Sequence, residues 1–290
     1  MMMFKGTGVA LVTPFKKDQS VDFEALEKLV DFTIDGGVDF LVALGTTAET
    51  PTLTKAEKLD VLNCIIKHNQ KRKPIVLGLG ANNTQELLAG LNEYPMQEVD
   101  GILSVVPYYN KPSQEGIFQH FSALAEATDK PIILYNVPGR TVTNMLPATA
   151  LRLANAFPHI VAIKEASGNM AQCMELVQGA PAHFAVLSGD DNLIVPQLSI
   201  GFKGVISVAA NSYPKDFCAM VNAGLQEDFV TARNLHYKLL KGIDLLFAEG
   251  NPTGVKYVLH KLGLLENVLR LPLIPASETL SQQLDQYLNS

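Results

Sequence analysis

The sequence predicts an α/β fold, a (β/α)8 TIM barrel with a small C-terminal helical extension, on three observations. Short β-like apolar runs recur eight times, beginning near Val9, Phe40, Pro74, Gly101, Pro131, Ile160, Ala185 and Gly204. The 19 to 34 residues between successive starts leave room for a helix each time. No break in composition divides the 290 residues, and one such barrel uses about 250. Parallel strands covered by helices need both faces buried, and closure removes the sheet edges. A doubly wound open sheet is the alternative arrangement of the same units.

The helices carry their own signals. Phe23, Leu26, Val30 and Ile34 form one apolar stripe for the first. Thr54 with Glu57 makes a capping box ahead of Leu59, Leu62 and Ile66, and Asn83 with Glu86 repeats the signal for the third. Ser113 is the expected N-cap of the fourth, which runs through Phe118, Phe121 and Leu124 to about Thr128. From Asn211 to Ser290 the chain reads mostly as helix, punctuated by Gly224, Pro252 and Gly263. That is more than one barrel helix needs. The expectation is a catalytic barrel over residues 1–224 and a helical extension over 225–290, with a boundary near Leu225.

Composition narrows the function classes. Hydrophobic residues make up 47% and charged residues 18%, as in ordinary globular proteins. The net charge is −6, and the only dense basic cluster, Lys67 to Lys73, falls at a predicted helix end, where cations are favoured by the helix dipole. No nucleic-acid partner is expected. Cys64, Cys173 and Cys218 are odd in number and far apart, which points to a reducing compartment. The first residues hold too short an apolar stretch for a signal peptide, and no run reaches the ~18 apolar residues of a membrane span. A cytoplasmic protein with no membrane association is expected.

In such a barrel the reactive groups lie where strands end. Strand two delivers Thr46 and Thr47, strand four Tyr108 and Tyr109, strand five Tyr135, Asn136 and Arg140, and strand six Lys164. Lys164 closes the run Ile160-Val161-Ala162-Ile163. Partial loss of water disfavours an ammonium and exposes an amine that condenses with a ketone to a Schiff base. Period-two alternation turns Lys164, Ala162 and Ile160 inward with Tyr135 and Ile133. It leaves Ile132, Leu134, Val161 and Ile163 facing the helices. Neighbouring strands lie ~4.8 Å apart, so the tips of Tyr135 and Lys164 come within one proton transfer. Taken singly, each residue has a structural explanation: a core tyrosine, a threonine-capped turn, a surface arginine. Placement after four strands of one barrel favours a site.

Other motifs lead elsewhere. Gly78-Leu79-Gly80 follows a strand, but the third glycine of a dinucleotide fingerprint is missing. Asp190 and Asp191 are accounted for by a helix N-cap. The six histidines have no ligand-like spacing. Neither a metal nor an organic cofactor is expected. The loops after strands seven and eight lack the glycine-rich, cationic character of a phosphate site. Arg140 suits a carboxylate, and the Thr46-Thr47 hydroxyls and amides suit another.

The segments GTTAET (45–50), PYYNKPSQEG (107–116), YNVPGRT (135–141), IKEASGN (163–169), LSGDD (187–191), GVISV (204–208), NPTGVKY (251–257) and LRLPL (269–273) resemble the dihydrodipicolinate synthase family. The likeness runs in order across essentially the whole chain. It implies a lyase that condenses pyruvate with L-aspartate 4-semialdehyde through a lysine Schiff base, on the path to lysine and diaminopimelate. By that resemblance Lys164 is the Schiff-base lysine and Tyr135 the general acid/base. Thr46 is its relay hydroxyl, and Tyr109 the relay tyrosine inserted by a neighbouring subunit of a homotetramer. Thr47 binds the pyruvate carboxylate, Arg140 holds the semialdehyde carboxylate, and the backbone carbonyl of Ile206 faces the lysine. N-acetylneuraminate lyase, or a barrel used only for binding, are the competing readings. The paired threonines and Arg140 favour the synthase.

Two departures stand out. The family's commoner GTTGES reads GTTAET here, with Ala48 in place of glycine, and a local adjustment is expected. In lysine-inhibited members, residues matching Asn82, Glu86 and Tyr108 line an effector site, where Lys55 and Lys58 stand in place of two frequent histidines. Added positive charge opposes a cationic effector, so weak or absent feedback inhibition is expected.

Overall fold

Eight strands, each without a charged residue before its C-terminal end, pair in parallel in chain order and close on themselves. The computed structural model describes residues 3–289. The strands are β1 (Gly6–Ala10), β2 (Phe40–Ala43), β3 (Ile75–Gly78), β4 (Gly101–Val105), β5 (Ile132–Asn136), β6 (Ile160–Glu165), β7 (Ala185–Ser188) and β8 (Gly204–Ser207). β8 returns to β1 in register, Gly6 opposite Gly204 and Gly8 opposite Ile206, so the sheet has no edge. The closed barrel, rather than the open sheet, is the architecture.

Apolar side chains fall into two layers, as alternation requires. Val42, Val76, Leu103, Ile133, Ala162, Leu187 and Ile206 fill the barrel, whereas Leu41, Leu77, Leu134, Ile163 and Val186 pack outward against the helices. Phe4 and Phe40 close the N-terminal mouth with ring centroids 5.4 Å apart. Gly8 makes room for them, since a Cβ there would lie 2.2 Å from Phe40 Cε2.

β5 and β6 depart from strict alternation. Ile132 is opposite Ile160 but Ile133 is opposite Ala162, so Val161 is the extra residue of a bulge. The expected facing of this pair is therefore corrected: Ile160 belongs to the outer layer and Val161 packs toward the interior. Alternation resumes at Ala162, so Lys164 still pairs with Tyr135.

The covering helices are α1 (Phe23–Asp35), α2 (Lys55–Asn69), α3 (Thr84–Gly90), α4 (Gln114–Glu126), the single turn α5 (Pro138–Thr141), α6 (Pro147–Ala156), α7 (Met170–Gly179), α8 (Ile194–Ser199) and α9 (Pro214–Leu225). Thr54 and Glu57 form the full capping box of α2; Asp22, Asn83 and Ser113 cap α1, α3 and α4. The α1 stripe is shifted from expectation: its buried face runs through Leu26, Leu29, Val30 and Thr33, while Phe23, in the first turn, stays 38% exposed. At the end of α2, Arg72 and His68 both contact Asp31, so the basic cluster is a tethered helix terminus.

Beyond Leu225 the chain forms α10 (Phe229–Phe247), α11 (Thr253–Lys261) and α12 (Glu278–Leu288). α10 packs along α9 and against α11 and α12, and the stretch from Phe247 to Lys256 returns to the C-terminal mouth of the barrel.

Candidate active site

The C-terminal ends of the strands surround a cavity of about 390 Å³, enough for small-molecule substrates. Lys164, Tyr135, Thr46, Thr47 and Arg140 all line it. β5 and β6 place Tyr135 and Lys164 directly opposite each other, and both are buried. The Lys164 Nζ lies 4.4 Å from the Tyr135 ring centroid, over the ring rather than against its hydroxyl. Among the described residues neither the Tyr135 hydroxyl nor the Lys164 amine has a hydrogen-bond partner, so both are available to a ligand.

A second wall comes from the turn after β2. Thr46–Ala48 forms one 3-10 turn, with the Thr50 hydroxyl donating to the Gly45 carbonyl (2.8 Å) and the Thr13 hydroxyl donating to the Ala48 carbonyl (2.8 Å). Ala48 is inside that turn, and its φ is not positive, so a side chain is tolerated where the resemblance suggests glycine. Thr47 is buried, its Oγ1 accepting from Asn251 Nδ2 at 2.9 Å, whereas Thr46 is exposed to the cavity mouth. Arg140, in α5, is exposed at the rim, and among the described residues no carboxylate pairs with its guanidinium.

Five expected residues, Ile206, Tyr109, Tyr108, Asn82 and Glu86, stand apart from the cavity wall. Ile206 is fully buried in the barrel layer. Tyr109 is 87% exposed, held with φ +75° in the left-handed region, and does not line the cavity of its own chain. Tyr108 is 40% exposed, and its carbonyl accepts from Asn82 Nδ2 at 3.2 Å. Glu86 is exposed on the first turn of α3, close enough to Lys55 to favour its ammonium after the stronger Glu93 contact. Asn82, Glu86 and Tyr108 therefore share a separate surface region.

The structure adds residues that the sequence reading assigned elsewhere or did not assign. Gly189 presses on the lysine: a Cβ there would lie 2.9 Å from Lys164 Cε and 2.6 Å from Ala166 Cβ. Asp190 lines the cavity, its Oδ2 accepting from the Gly168 amide. Burial, reinforced by the charges of Glu165 and Asp191, pushes its carboxyl up to about 6, against the Gly168 hydrogen bond and the attraction of Lys164. The helix-cap expectation for the pair is corrected. Asp190 makes no side-chain cap, and Asp191 accepts from the Val208 and Ala209 amides after β8. The rim rule would have found Asp190, which stands two residues beyond the end of β7. Asn251 and Phe247 belong to the extension, where no spacing pointed to them. Among the described residues no three His, Cys, Asp or Glu side chains are grouped to hold a metal ion.

An amine beside a phenol, facing threonine hydroxyls and a guanidinium, can capture a small carboxylated carbonyl compound covalently and move protons on it. The sequence pattern of the Dihydrodipicolinate synthetase family matches residues 3–290. The chain belongs to that family. It is 53% identical to the 4-hydroxy-tetrahydrodipicolinate synthase of Flavobacterium psychrophilum over 99% of this chain and 98% of the relative. It is 52% identical to the enzyme of the same name from Phocaeicola vulgatus, over 98% and 96%. The crystal structure of the chloride-inhibited dihydrodipicolinate synthase from Acinetobacter baumannii, complexed with pyruvate, superposes with a TM-score of 0.95 at 41% identity, covering 98% of both chains. Dihydrodipicolinate synthetase relatives thus match the barrel and the extension together.

Proposed function

We propose that this protein is a 4-hydroxy-tetrahydrodipicolinate synthase, condensing pyruvate with L-aspartate 4-semialdehyde in lysine and diaminopimelate biosynthesis. The observation that carries the reading is the opposed pair Lys164 and Tyr135 in a cavity that also holds Thr47 and Arg140. The Lys164 amine attacks the pyruvate ketone, and loss of water leaves an imine. Removal of a methyl proton gives an enamine, which forms the new carbon–carbon bond at the semialdehyde aldehyde. The resulting alkoxide takes a proton from Tyr135. The substrate amine then attacks the imine carbon, closes the ring and releases Lys164. Tyr135 carries the protons and Thr46 relays them. Thr47 binds the pyruvate carboxylate, the Ile206 carbonyl faces the lysine, and Arg140 receives the semialdehyde carboxylate.

Tyr109 completes the relay from a neighbouring copy in a homotetramer, a reading supported by its exposure and by its absence from its own cavity. The Asn82, Glu86 and Tyr108 region is the effector site, weakened toward lysine by Lys55 and Lys58. No helix among the described residues is long and apolar enough to cross a membrane. Its three cysteines are unpaired, which supports a cytoplasmic setting.

The test is to incubate the protein with pyruvate, reduce with borohydride and locate the adduct by peptide mass spectrometry. An adduct on Lys164, followed by consumption of aspartate semialdehyde rather than N-acetylmannosamine, is expected. No adduct on Lys164 sinks the mechanism, and preference for N-acetylmannosamine transfers the protein to the sugar-acid lyases.

A further inference from the structure

We propose that the buried ion pair Lys256–Glu49 is a positioning device for the Thr46-Thr47 turn, through which the C-terminal segment sets the pyruvate end of the site. The inference rests on the proposed function. Both side chains are fully buried. Two charges taken out of water are a poor source of stability, because their desolvation roughly cancels their attraction. Their connections, however, converge on the catalytic turn.

Glu49 directly follows that turn and has φ +54°, a left-handed backbone that a residue with a side chain adopts only when held. Its amide donates to the Thr46 carbonyl at 3.2 Å, and its own carbonyl accepts from the Thr52 amide and hydroxyl. Its carboxylate pairs with Lys256 through one oxygen and accepts from the Arg270 amide at 3.1 Å through the other. Lys256 Nζ also donates to the Val268 carbonyl at 2.9 Å and lies 4.1 Å from the Phe15 ring centroid. Lys256 lies in α11, and Asn251, just ahead of that helix, donates to Thr47 Oγ1. The same short stretch therefore grips the turn twice, once at Thr47 and once through Glu49. Arg140 hangs from β5 and shares none of these bonds, so the semialdehyde end provides an internal control.

The decisive variant is Glu49→Gln with Lys256→Met, which removes both charges and keeps the buried volume. Glu49→Gln alone is the gentler companion. Burial already pushes the Lys256 ammonium down to about 8, with Glu49 opposing the shift, so a lysine deprived of its partner can release its proton and remain inside. Steady-state kinetics on the folded variants should show kcat reduced about 10-fold or more and pyruvate KM raised several-fold, because misplacement of a reacting group by about 1 Å costs up to ~100-fold. The semialdehyde KM should stay within about twofold of wild type. Asp285→Asn, which removes the charge paired with Lys261 in the same C-terminal segment and keeps an oxygen to accept from the Tyr257 hydroxyl, should leave all three parameters unchanged.

Folded Glu49 and Lys256 variants with wild-type kcat and pyruvate KM overturn the proposal. So does a parallel change in both KM values, or an equal loss in Asp285→Asn, either of which marks a merely structural anchor. A wild-type protein that forms no pyruvate adduct would instead refute the functional reading on which the inference rests.

Discussion

Tyr135 and Lys164 are register partners on β5 and β6, with the lysine Nζ 4.4 Å from the centre of the tyrosine ring. The proposed mechanism therefore assigns the two parts of Tyr135 separable jobs: the ring face packs against the lysine Nζ, and the hydroxyl, pointing elsewhere, transfers protons. Tyr135→Phe retains the first and deletes the second. Its kcat should fall by about 10²- to 10⁴-fold, the range for loss of a general acid/base, while the pyruvate adduct still traps on Lys164 more slowly. Rapid-quench borohydride trapping beside steady-state assays checks this, and an unchanged kcat would remove Tyr135 from the proton path.

Gly189 should be intolerant for a geometric reason. The Cβ of alanine would sit 2.6 Å from Ala166 Cβ, 2.9 Å from Lys164 Cε and 3.3 Å from Lys164 Cγ, so the lysine is displaced and the backbone at Ala166 must shift as well. Gly189→Ala is expected to fold with a lowered thermal midpoint, and the folded variant to lose about 100-fold in the rate of adduct formation. Normal trapping kinetics in that variant would show that the lysine has room to spare.

The barrel was legible because its evidence is local and repeated: eight apolar runs, capped helices between them, and a polar residue at the end of strand after strand. Lys164, Tyr135, Thr46, Thr47 and Arg140 could be placed at one cavity by counting strands alone. What counting missed depends on contacts distant in sequence or on a break in period. Val161 bulges, which reverses the facing of Ile160 without disturbing Lys164. Asp191 caps a segment beyond the next strand rather than its own helix. Asn251 reaches Thr47 from a position 204 residues away, in an extension whose sequence carries no rim signal.

His120 should make the protein acid-sensitive. It is 5% exposed, its Nδ1 contacts the Thr84 hydroxyl at 2.9 Å, and its Nε2 has no partner, so a second ring proton would be buried unsatisfied. Burial pulls its pKa down from 6.5 to about 4. The unfolded chain therefore binds this proton more readily. The neutral histidine's contribution is complete above about 6.5 and is lost as pH falls toward 4. Between pH 6.5 and 5 that amounts to roughly 1.5 kcal/mol. His120→Gln should flatten this part of the stability profile in denaturant titrations at the two pH values, and an equal pH slope in both proteins would contradict the assignment.

Lysine should inhibit weakly. Asn82 and Tyr108 are joined by a hydrogen bond and Glu86 stands nearby on α3, but Lys55 already lies within the field of Glu86 while pairing with Glu93 at 2.5 Å. A cationic amino acid binding there must approach Lys55 and share the attraction of Glu86. A like charge a few ångströms away in water costs on the order of 1 kcal/mol, which is roughly a fivefold loss of affinity for each cation. Lys58, one turn along α2 from Lys55 and with no ion pair found among the described residues, adds a second positive charge to that helix. Replacing both lysines by histidine should therefore increase sensitivity by about tenfold or more at pH 8, where the imidazoles are neutral. Initial-rate titrations with lysine on the two proteins decide it: strong inhibition of the wild type at low lysine concentrations, or no gain in the double variant, would show that these charges do not govern the site.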